Sequence, residues 1–458
     1  MKVVICGAGQ VGANIATYLA TESNDVTVID QSPLLIQKMS DTLDVKALVG
    51  HASTPPVLER AGASDADMLI AVTQSDEVNM VACQVAHSLF NVPTKIARVR
   101  NQAYLDNVWA DMFSRENMPI DVIISPEMEV AYAVARRLQV PGAFDMIPLA
   151  DGKVRLIGVI CGEDCPIIHT PLRQLTSLFP DLQIEILAIV RDEKPIVPDS
   201  DDQMFAGDEV YFVVAADHVA RAMAAFGHEE PEARRIIIVG GGNIGLSLAE
   251  EIEAHHPGVT VRIIEHNVDR AAAIAGRLNR TTVLQGDALD PEILEEAGVG
   301  LAEIIVTVTN DDEANILSSL LAKRYGCQRA VTLINKNTYG PLIRTLGIDA
   351  VVSPRAITAS TILQHVRMGR IKSVHSLRDG FAEVIEAEAL ETSPLVGKPI
   401  RDVRLPPEVI VGAIVREDEV IIARPSSVVQ PHDRVILLAG AKSVRKIEKM
   451  FAVRLEFF

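Results

Sequence analysis

The sequence is poor in aromatic residues and in cysteine. Phe, Trp and Tyr together make up 4% of the 458 residues, and only five positions are cysteine: Cys6, Cys83, Cys161, Cys165 and Cys327. Cys161 and Cys165 are the one close pair, and no histidine or further cysteine stands at zinc-finger spacing to complete four ligands. We therefore predict reduced thiols that pack as small hydrophobic side chains, and no metal site.

Positive charge is also scarce. The chain has 43 Lys and Arg against 61 Asp and Glu, which gives a net charge of −18 at pH 7. A surface this negative repels phosphate backbones and anionic lipid head groups, so we expect neither a nucleic-acid partner nor direct insertion into a bilayer. The net charge does not argue against a small anionic ligand that is held by a local site.

Long apolar runs are absent as well. No stretch approaches the ~18 uninterrupted apolar residues of a transmembrane helix, although the mean hydropathy is positive. The first predicted strand begins at Lys2, which leaves no room for a secretory signal, so we expect none. A length of about three typical domains of ~150 residues predicts a multidomain protein.

What the sequence does contain is a repeat of its own first half. VVICGAGQVGANIA (residues 3–16) recurs as IIIVGGGNIGLSLA (residues 236–249). Far from there, AIVRDEKPIVP (residues 188–198) recurs as AIVREDEVIIA (residues 413–423). Because both segments keep their order within each half, a tandem duplication explains the pattern better than chance.

The spacing of the repeat locates an insertion. Ala71 aligns with Thr307 and Ile120 with Ile348, so the offset between the copies falls from 236 to 228. This drop places about eight extra residues of the first copy within residues 102–117.

Within each half, the pattern of predicted secondary structure changes once. Its first ~125 residues alternate short β-branched runs with helix-period segments, which is typical of a parallel α/β sheet, and about 85 residues of shorter strands and turns follow. The predicted fold class is α/β, with two tandem Rossmann-like parallel-sheet domains, each followed by a small mixed α+β C-terminal domain. The predicted boundaries are 1–125 and 232–353 for the Rossmann-like domains, and 126–229 and 354–458 for the linking helices with their small domains.

A glycine-rich loop follows the first predicted strand and opens the first predicted helix. Its residues are Gly7, Ala8, Gly9, Gln10, Val11 and Gly12. In this context Gly7 permits a tight turn, Gly9 lets a pyrophosphate approach the backbone, and Gly12 lets helix and strand pack closely. The phosphate then lies at the helix N-terminus, and Asp30, at the end of the second strand, is placed to accept both ribose hydroxyls of an adenosine.

The second copy repeats the arrangement with Gly240, Gly241, Gly242, Asn243, Ile244 and Gly245. Its acid is Glu265, 25 residues after Gly240. An acid at this place repels a 2′-phosphate, which favours NAD or an adenine nucleotide over NADP. The alternative is that tight packing of helix on strand alone requires the glycines.

Further residues are predicted to line the same two crevices, because ligands bind beyond the carboxyl ends of parallel strands. They are Gly50, His51, Thr73, Gln74, Arg98 and Arg100 in the first copy, and Gly286, Asp287, Thr309 and Asn310 in the second. The acidic pairs that begin at Asp76 and at Asp312 are either part of these sites or simply helix N-terminal acids.

Arg98 and Arg100 lie two residues apart in the fifth predicted strand, which places both on one face. If they hold phosphate, the two sites differ, since VTLIN (residues 331–335) has no arginine there, and the first site is better suited to a more highly charged nucleotide. The alternative is a solvated strand end.

Catalytic machinery is not evident. No histidine recurs in both copies, for His51 is replaced by Asp287, and the chain has no nucleophile elbow, HExxH motif or P-loop lysine. We therefore predict a sensor and not an enzyme. The alternative is an NAD-dependent oxidoreductase that acts on a small carbonyl substrate, and a stand-alone redox sensor of NADH also stays open.

The combination of the glycine-rich loop, Asp30, AVTQSDEVNM (residues 71–80), LAIVRDEKPI (residues 187–196) and AGDEVYFV (residues 206–213) resembles domains that regulate potassium conductance, the RCK or KTN domains. Two such units in one chain resemble the peripheral nucleotide-binding regulatory subunits of bacterial Trk potassium-uptake systems. The resemblance covers essentially all 458 residues.

The resemblance implies NAD/NADH, ATP and ADP as ligands. It implies contacts at Gly7 to Val11, Asp30, Thr73, Gln74 and Arg98, and at Gly240 to Ile244, Glu265, Thr309 and Asn310. It further implies a homo-oligomeric ring, expected to be a tetramer, on the cytoplasmic face of the cell membrane, where the ring gates a TrkH-like potassium-transport subunit. Some relatives carry arginine after the second glycine, where this chain has Gln10 and Asn243, so phosphate recognition through that position is not expected.

Overall fold

The computed structural model describes residues 1–21, 24–105, 107–179, 182–336, 339, 346–366, 371–377 and 380–451. The chain divides into two compact units. The first comprises residues 1–130 with 353–366, and the second comprises residues 131–352 with 367–458.

The first unit is built on a six-stranded parallel sheet in the order β3-β2-β1-β4-β5-β6. The strands are β1 Lys2–Cys6, β2 Asp25–Asp30, β3 Lys46–Val49, β4 Met68–Ala71, β5 Thr94–Arg98 and β6 Val122–Ile124. The helices are α1 Gln10–Thr21, α2 Pro33–Thr42, α3 Pro55–Ala61, α4 Asp76–Phe90 and α5 Pro126–Leu138, the last of which continues into the second unit. The order reverses direction at β1, so a crevice opens between β1 and β4 at their carboxyl ends.

The small domain after it, which belongs to the second unit, is an antiparallel sheet in the order β10-β9-β11-β8-β7. Its elements are β7 Ala143–Leu149, β8 Val154–Ile160, α6 Leu172–Leu178, β9 Ile184–Arg191, β10 Lys194–Ile196, β11 Glu209–Ala215 and α7 Val219–Ala225. The predicted change from a parallel α/β sheet to a small domain of shorter strands and turns is confirmed.

The second copy has the same two sheets, one parallel and one antiparallel. Its parallel sheet runs β14-β13-β12-β15-β16-β17 and its antiparallel sheet runs β18-β19-β22-β20-β21. The strands are β12 Arg235–Val239, β13 Thr260–Glu265, β14 Thr282–Gln285, β15 Ile304–Thr307, β16 Arg329–Leu333, β17 Ala350–Val352, β18 Ile371–Leu377, β19 Ala382–Glu388, β20 Val409–Arg416, β21 Glu419–Ile422 and β22 Arg434–Gly440. The described helices are α8 Asn243–His255, α9 Val268–Ala275, α10 Pro291–Glu296, α11 Asp312–Arg324, α12 Pro354–Val366 and α13 Val444–Phe451.

Helix α12 packs far from its neighbours in sequence. Its buried face, which includes Ile362 and Leu363, joins the core of the first parallel sheet beside Ile15 and Leu19 of α1. A helix that follows the sheet of the second copy therefore completes the hydrophobic core of the first. The predicted boundaries treat each domain as one continuous stretch and stay a prediction.

The two antiparallel sheets share one core inside the second unit. Leu156 and Val213 of the first small domain lie in the same buried cluster as Val384 and Leu438 of the second. A Cβ atom at Gly412 would stand 2.8 Å from Val213 Cγ2, so the sheets approach as closely as side chains allow.

An ion pair also joins the two small domains. Arg424 Nη1 lies 3.2 Å from Oε2 of Glu185 on β9. Burial raises the pKa of Glu185 to about 7, because the loss of solvent outweighs the opposing effect of Arg424. This carboxyl group therefore titrates near neutral pH.

Each parallel sheet contains an aspartate–lysine ion pair, and the two lysines differ in how deeply they are buried. Asp121 and Asp349 each accept a hydrogen bond from the backbone of the neighbouring strand, at Lys95 N and Ala330 N respectively. The lysine that neutralises Asp121 is the buried Lys95, at 2.7 Å, whereas Lys323 of α11 pairs with Asp349 at 2.8 Å nearer the surface.

Candidate functional site

The first glycine-rich loop joins β1 to α1. Backbone conformation and packing within the protein explain two of its three glycines. Gly7 has φ = +113°, a conformation that side chains rarely adopt. A Cβ atom at Gly12 would overlap the carbonyl oxygen of Gly7. Gly9 is different, because it is exposed and a Cβ atom there would meet no described atom within 4 Å. The protein itself therefore does not require glycine at position 9.

The second loop, between β12 and α8, has the same three properties. Gly240 has φ = +101°, and a Cβ atom at Gly245 would overlap the carbonyl oxygen of Gly240. Gly242 is exposed, and a Cβ atom there would again meet no described atom within 4 Å. Gly242 also begins α8 without a side chain to cap the helix, which leaves its first N–H groups open to an anion.

The predicted acids lie beside these loops. Asp30 Oδ2 accepts a hydrogen bond from the backbone N–H of Ala8 at 2.7 Å, and its Oδ1 accepts from Ser32 N at 2.8 Å. In the second copy Glu265 makes the same pair of contacts, with Gly241 N at 2.6 Å and Asn267 N at 2.8 Å. Each carboxylate oxygen keeps a further lone pair, so both acids can still accept hydroxyl groups from a ligand.

A buried asparagine holds the other wall of the first crevice. Asn79 of α4 is fully buried, and its Oδ1 accepts from the backbone N–H of Thr73 at 2.9 Å and from its hydroxyl at 2.7 Å. Its Nδ2 donates to the carbonyl oxygens of Thr73 and Arg98, at 3.3 and 2.9 Å. One side chain thus joins the chain after β4 to the end of β5.

Asn315 does the same in the second copy. Its Oδ1 accepts from Thr309 N and Oγ1, at 2.9 and 2.7 Å, and its Nδ2 donates to Thr309 O and Leu333 O, both at 3.0 Å. Sequence reasoning missed both asparagines, although they occupy equivalent positions in the repeat. Gln74 and Asn310, the residues that follow the two threonines, are exposed.

Arg98 lies at the carboxyl end of β5 and faces the crevice wall. Its Nη2 donates to Thr73 O at 2.6 Å, and its Nε is buried without a partner among the described residues. Burial, and then the like charge of Arg100, lower the pKa of the Arg98 guanidinium. The first crevice therefore has a desolvated arginine with an unused donor.

Arg100 lies beyond the end of β5, so the strand alternation used to place it on the face of Arg98 does not extend to it, and its predicted ligand contact stays a prediction. Strand β5 ends at Arg98, and the chain turns where the N–H groups of Arg100 and Asn101 donate to Asp76 Oδ2. The side chain of Arg100 instead pairs with Glu127, with Nε 2.8 Å from Oε1.

The acidic residues Asp76 and Asp312 are helix N-terminal acids with an added role. Asp312 accepts from the backbone N–H groups of Asn335 and Lys336, both at 2.9 Å, as Asp76 does in the first copy. Both therefore fix the loop that follows the fifth strand of their sheet.

Gly50 and Gly286 are explained by packing. A Cβ atom at Gly50 would lie 2.8 Å from Val57, and one at Gly286 would lie 2.7 Å from Ile293. The residues that follow them bond locally, for His51 Nδ1 lies 2.8 Å from Ser53 Oγ and Asp287 Oδ1 accepts from Leu289 N at 2.9 Å. The predicted ligand contacts at these four positions stay a prediction.

Metal chemistry and transmembrane helices find no support in the described parts of the chain. No cluster of three or more His, Cys, Asp or Glu side chains there is suited to a metal ion. All five cysteines are buried, and none is in a disulfide. No described helix has both the length and the apolar character to cross a bilayer.

Comparison with known families finds matches in both halves. The TrkA-N domain model matches residues 3–126 and again residues 236–354. The TrkA-C domain model matches residues 156–227 and again residues 384–452. The duplication predicted from sequence is therefore a repeat of one pair of domains.

Full-length relatives exist among curated proteins. The "Trk system potassium uptake protein TrkA" of Azorhizobium caulinodans is 56% identical to this chain, over 100% of both chains. The protein of the same name from Halomonas elongata is 44% identical, again over 100% of both. These are names of potassium-uptake proteins and not of enzymes.

Solved structures share the fold. "Crystal Structure of the GsuK RCK domain" matches with a TM-score of 0.59 and 19% identity, covering 99% of this chain and 95% of that chain. "GsuK channel bound to NAD" matches with a TM-score of 0.59 and 18% identity, covering 99% of this chain and 79% of that chain. The predicted fold class is confirmed.

Proposed function

The chain belongs to the TrkA family of Trk system potassium uptake proteins, and from that premise we propose that it is a nucleotide-sensing regulatory subunit. In this proposal two crevices per chain bind NAD/NADH, ADP or ATP. Their occupancy changes the shape of a homo-oligomeric ring, which gates a TrkH-like potassium-transport subunit of the membrane. The protein then works in the cytoplasm, attached to the inner face of the cell membrane through that partner.

One observation carries the nucleotide proposal. In both loops the middle glycine, Gly9 or Gly242, borders open space, while the carboxylate of Asp30 or Glu265 stands beside the same loop. Packing explains the other glycines but gives no reason for these two. A ligand phosphate that approaches the backbone does explain them, and the acid supplies the partner for a ribose.

The ligand class follows from the charges around the crevices. A carboxylate at the ribose position disfavours NADP, because a 2′-phosphate would meet it at close range. In the first crevice the unused Nε donor of Arg98 suits an additional phosphate group. A protein of the same fold is described as bound to NAD, which supports a dinucleotide as one ligand.

Calorimetric titration of NAD, NADH, ADP and ATP into the full-length protein tests this proposal. We expect two sites per chain, of which Asp30→Ala removes one and Glu265→Ala removes the other. Asp25→Ala and Asp269→Ala are matched controls, because both remove an exposed acid from the same two β–α units, and neither should change the stoichiometry. Binding by none of the four nucleotides, or two sites left in both acid variants, would refute the proposal.

Regulation requires a difference in affinity between two shapes of the ring. A ligand that inverts a 1:99 population must prefer one shape by about 10⁴-fold, or about 5.5 kcal/mol, and several sites in one ring can share this requirement. We therefore expect sedimentation to show a tetramer whose hydrodynamic radius depends on the bound nucleotide.

The partner is tested directly. Full-length protein is mixed with the detergent-solubilised transport subunit in the presence of ATP, ADP, NADH or no nucleotide, and complexes are separated by size. We expect a complex whose yield depends on the nucleotide. No complex under any condition contradicts the proposed partnership.

A further inference from the structure

The second crevice contains an arginine that the first does not have. Arg270, in the first turn of α9, donates from Nε to the carbonyl oxygen of Gly241 at 2.7 Å, and its Nη2 lies 3.4 Å from Asn243 Oδ1. Both partners belong to the glycine-rich loop or to the start of α8. The guanidinium group is therefore attached to the loop beside which a phosphate would bind.

Glu265 and Arg270 thus hold the loop through the two backbone groups of Gly241, its N–H and its C=O. Glu265 accepts the N–H of Gly241 at 2.6 Å, and Arg270 donates to its C=O. A Cβ atom at Gly241 would stand 2.5 Å from Ile274 and 3.0 Å from the carboxylate of Glu265, so a side chain at this place would have to displace both. In the first copy Ala8 occupies the equivalent place, where its N–H donates to Asp30 and no described side chain donates to its carbonyl oxygen.

The two copies place their arginines in different positions. Counting from the acid of each copy, Leu35 stands five residues after Asp30, where Arg270 stands five residues after Glu265. At the end of the fifth strand the relation is reversed, since Arg98 of the first copy corresponds to the buried Leu333 of the second. Each crevice thus has one arginine that the other lacks.

The guanidinium of Arg270 has donors left for a ligand. An arginine carries five N–H groups, and the two contacts with the loop use two of them. Arg270 is only half-buried, so the remaining donors can reach a bound group without displacing the loop. Its position beside Asn243 brings the positive charge to the N-terminus of α8, which itself favours anions.

We propose that Arg270 is the diphosphate-recognition residue of the second crevice, and that it binds the 5′-diphosphate shared by ADP, ATP and NAD. This inference rests on the proposed function. Arg98 is its counterpart in the first crevice, where it approaches the ligand from the opposite wall. The two sites of one chain therefore recognise different parts of the same ligands.

The test isolates the second crevice. Gly9→Asp adds a carboxylate to the first loop, where a Cβ atom meets no described atom within 4 Å, and its negative charge should close that crevice to anions. In this background, competition against a fluorescent ADP analogue measures the affinities of ADP, NAD and adenosine for the second crevice. The variants compared are Arg270→Leu, Arg270→Lys and the control Arg277→Leu, which removes an exposed arginine paired with Glu250 near the end of α9.

We expect Arg270→Leu to weaken the binding of ADP and NAD by at least about tenfold and that of adenosine by no more than about twofold, because only ADP and NAD carry the diphosphate. Arg270→Lys should be intermediate, since an ammonium keeps the charge but cannot span loop and ligand together. Arg277→Leu should bind like its parent.

Two results overturn the inference while the proposed function stands. One is unchanged ADP binding in Arg270→Leu. The other is an equal loss of ADP and adenosine, which would mean that Arg270 only shapes the loop. A third result, no ADP binding in Gly9→Asp with Arg270 intact, refutes nucleotide binding by this crevice altogether.

Discussion

The buried Asn79 supports the strongest quantitative expectation for the first crevice. Replacing it by alanine deletes four hydrogen bonds, which leaves the backbone N–H of Thr73 and the carbonyl oxygen of Arg98 without this partner in a buried place. Thr73 O keeps its bond from Arg98 Nη2. Thr73 Oγ1 also keeps its bond to Ser75 O. The cost is therefore set by the two groups that lose this partner, at about 1.5 kcal/mol each, and the expected loss of stability is about 3 kcal/mol.

The loss should be local to the first unit. Hydrogen exchange followed by mass spectrometry is the appropriate assay, because two compact units need not unfold together and a single unfolding midpoint would mix them. We expect the amide of Thr73 and those of β4 and β5 to exchange about 10²-fold faster in Asn79→Ala. Nucleotide binding at the first crevice should fall with it, since Thr73 and Arg98 lose their common support.

The repeat supplies the matched comparison. Asn315→Ala should have the same effect on β15 and β16 and leave the first sheet unchanged. Gln84→Ala is the control, because Gln84 lies on the same helix as Asn79 and the one hydrogen bond of its side chain among the described residues is to Ser88. A loss below ~1 kcal/mol in Asn79→Ala, or equal effects of Asn79→Ala and Gln84→Ala, would refute the reasoning.

Three further predictions have defined outcomes. Lys95→Met should lower the unfolding free energy of its sheet by about 3 kcal/mol, because the buried Lys95 ammonium pairs with Asp121 and also donates to the carbonyl oxygens of Val92 and Pro93, and each lost contact costs about 1 kcal/mol. Lys323→Met, which removes a more exposed ammonium, should cost less than about 1 kcal/mol; local exchange rates measure both. The folded state binds a proton at Glu185 more tightly than the unfolded state does, since its pKa is raised to about 7, so this group makes stability fall as the pH rises from about 4.5 to above 7. Glu185→Gln should remove that slope in urea unfolding curves. Gly12→Ala should prevent correct folding of the first loop, whereas Gly9→Ala should fold normally in circular dichroism and bind nucleotide more weakly in titration.

Each of these outcomes has a contrary result. Equal effects of the two lysine variants would mean that burial does not decide the cost of the pair. A pH slope that persists in Glu185→Gln would place the titrating group elsewhere. A Gly9→Ala variant with full nucleotide affinity would remove the main support for a ligand at that glycine.

Much of the candidate site was predictable because its chemistry depends on local geometry. A tight turn after a strand requires positive φ, as at Gly7 and Gly240, and only a few residue types permit it. An acid at the end of the next parallel strand must lie beside that turn, as Asp30 and Glu265 do. The repeat added a second, independent instance of each feature.

Local sequence patterns did not indicate the other residues of the candidate site. Asn79 and Asn315 sit in helices, where a polar residue in sequence usually indicates an exposed face, yet both are fully buried. Arg270 does not directly follow a glycine or a strand end, and only the folded chain brings it to the loop through its bond with Gly241. The fifth strand stops at Arg98, two residues earlier than its pattern indicated.

The sequence alone determined the duplication, the order of parallel-sheet and small β-rich domains, and the two glycine loops with their acids. These features arise from side-chain periodicity and backbone sterics, which act over a few residues. The tertiary structure decided which distant surfaces cover each other, such as Ile362 of α12 on the core beside Ile15. The hydrophobic effect is non-directional. An apolar helix face therefore indicates that the face will be buried, but it does not indicate which sheet will cover it.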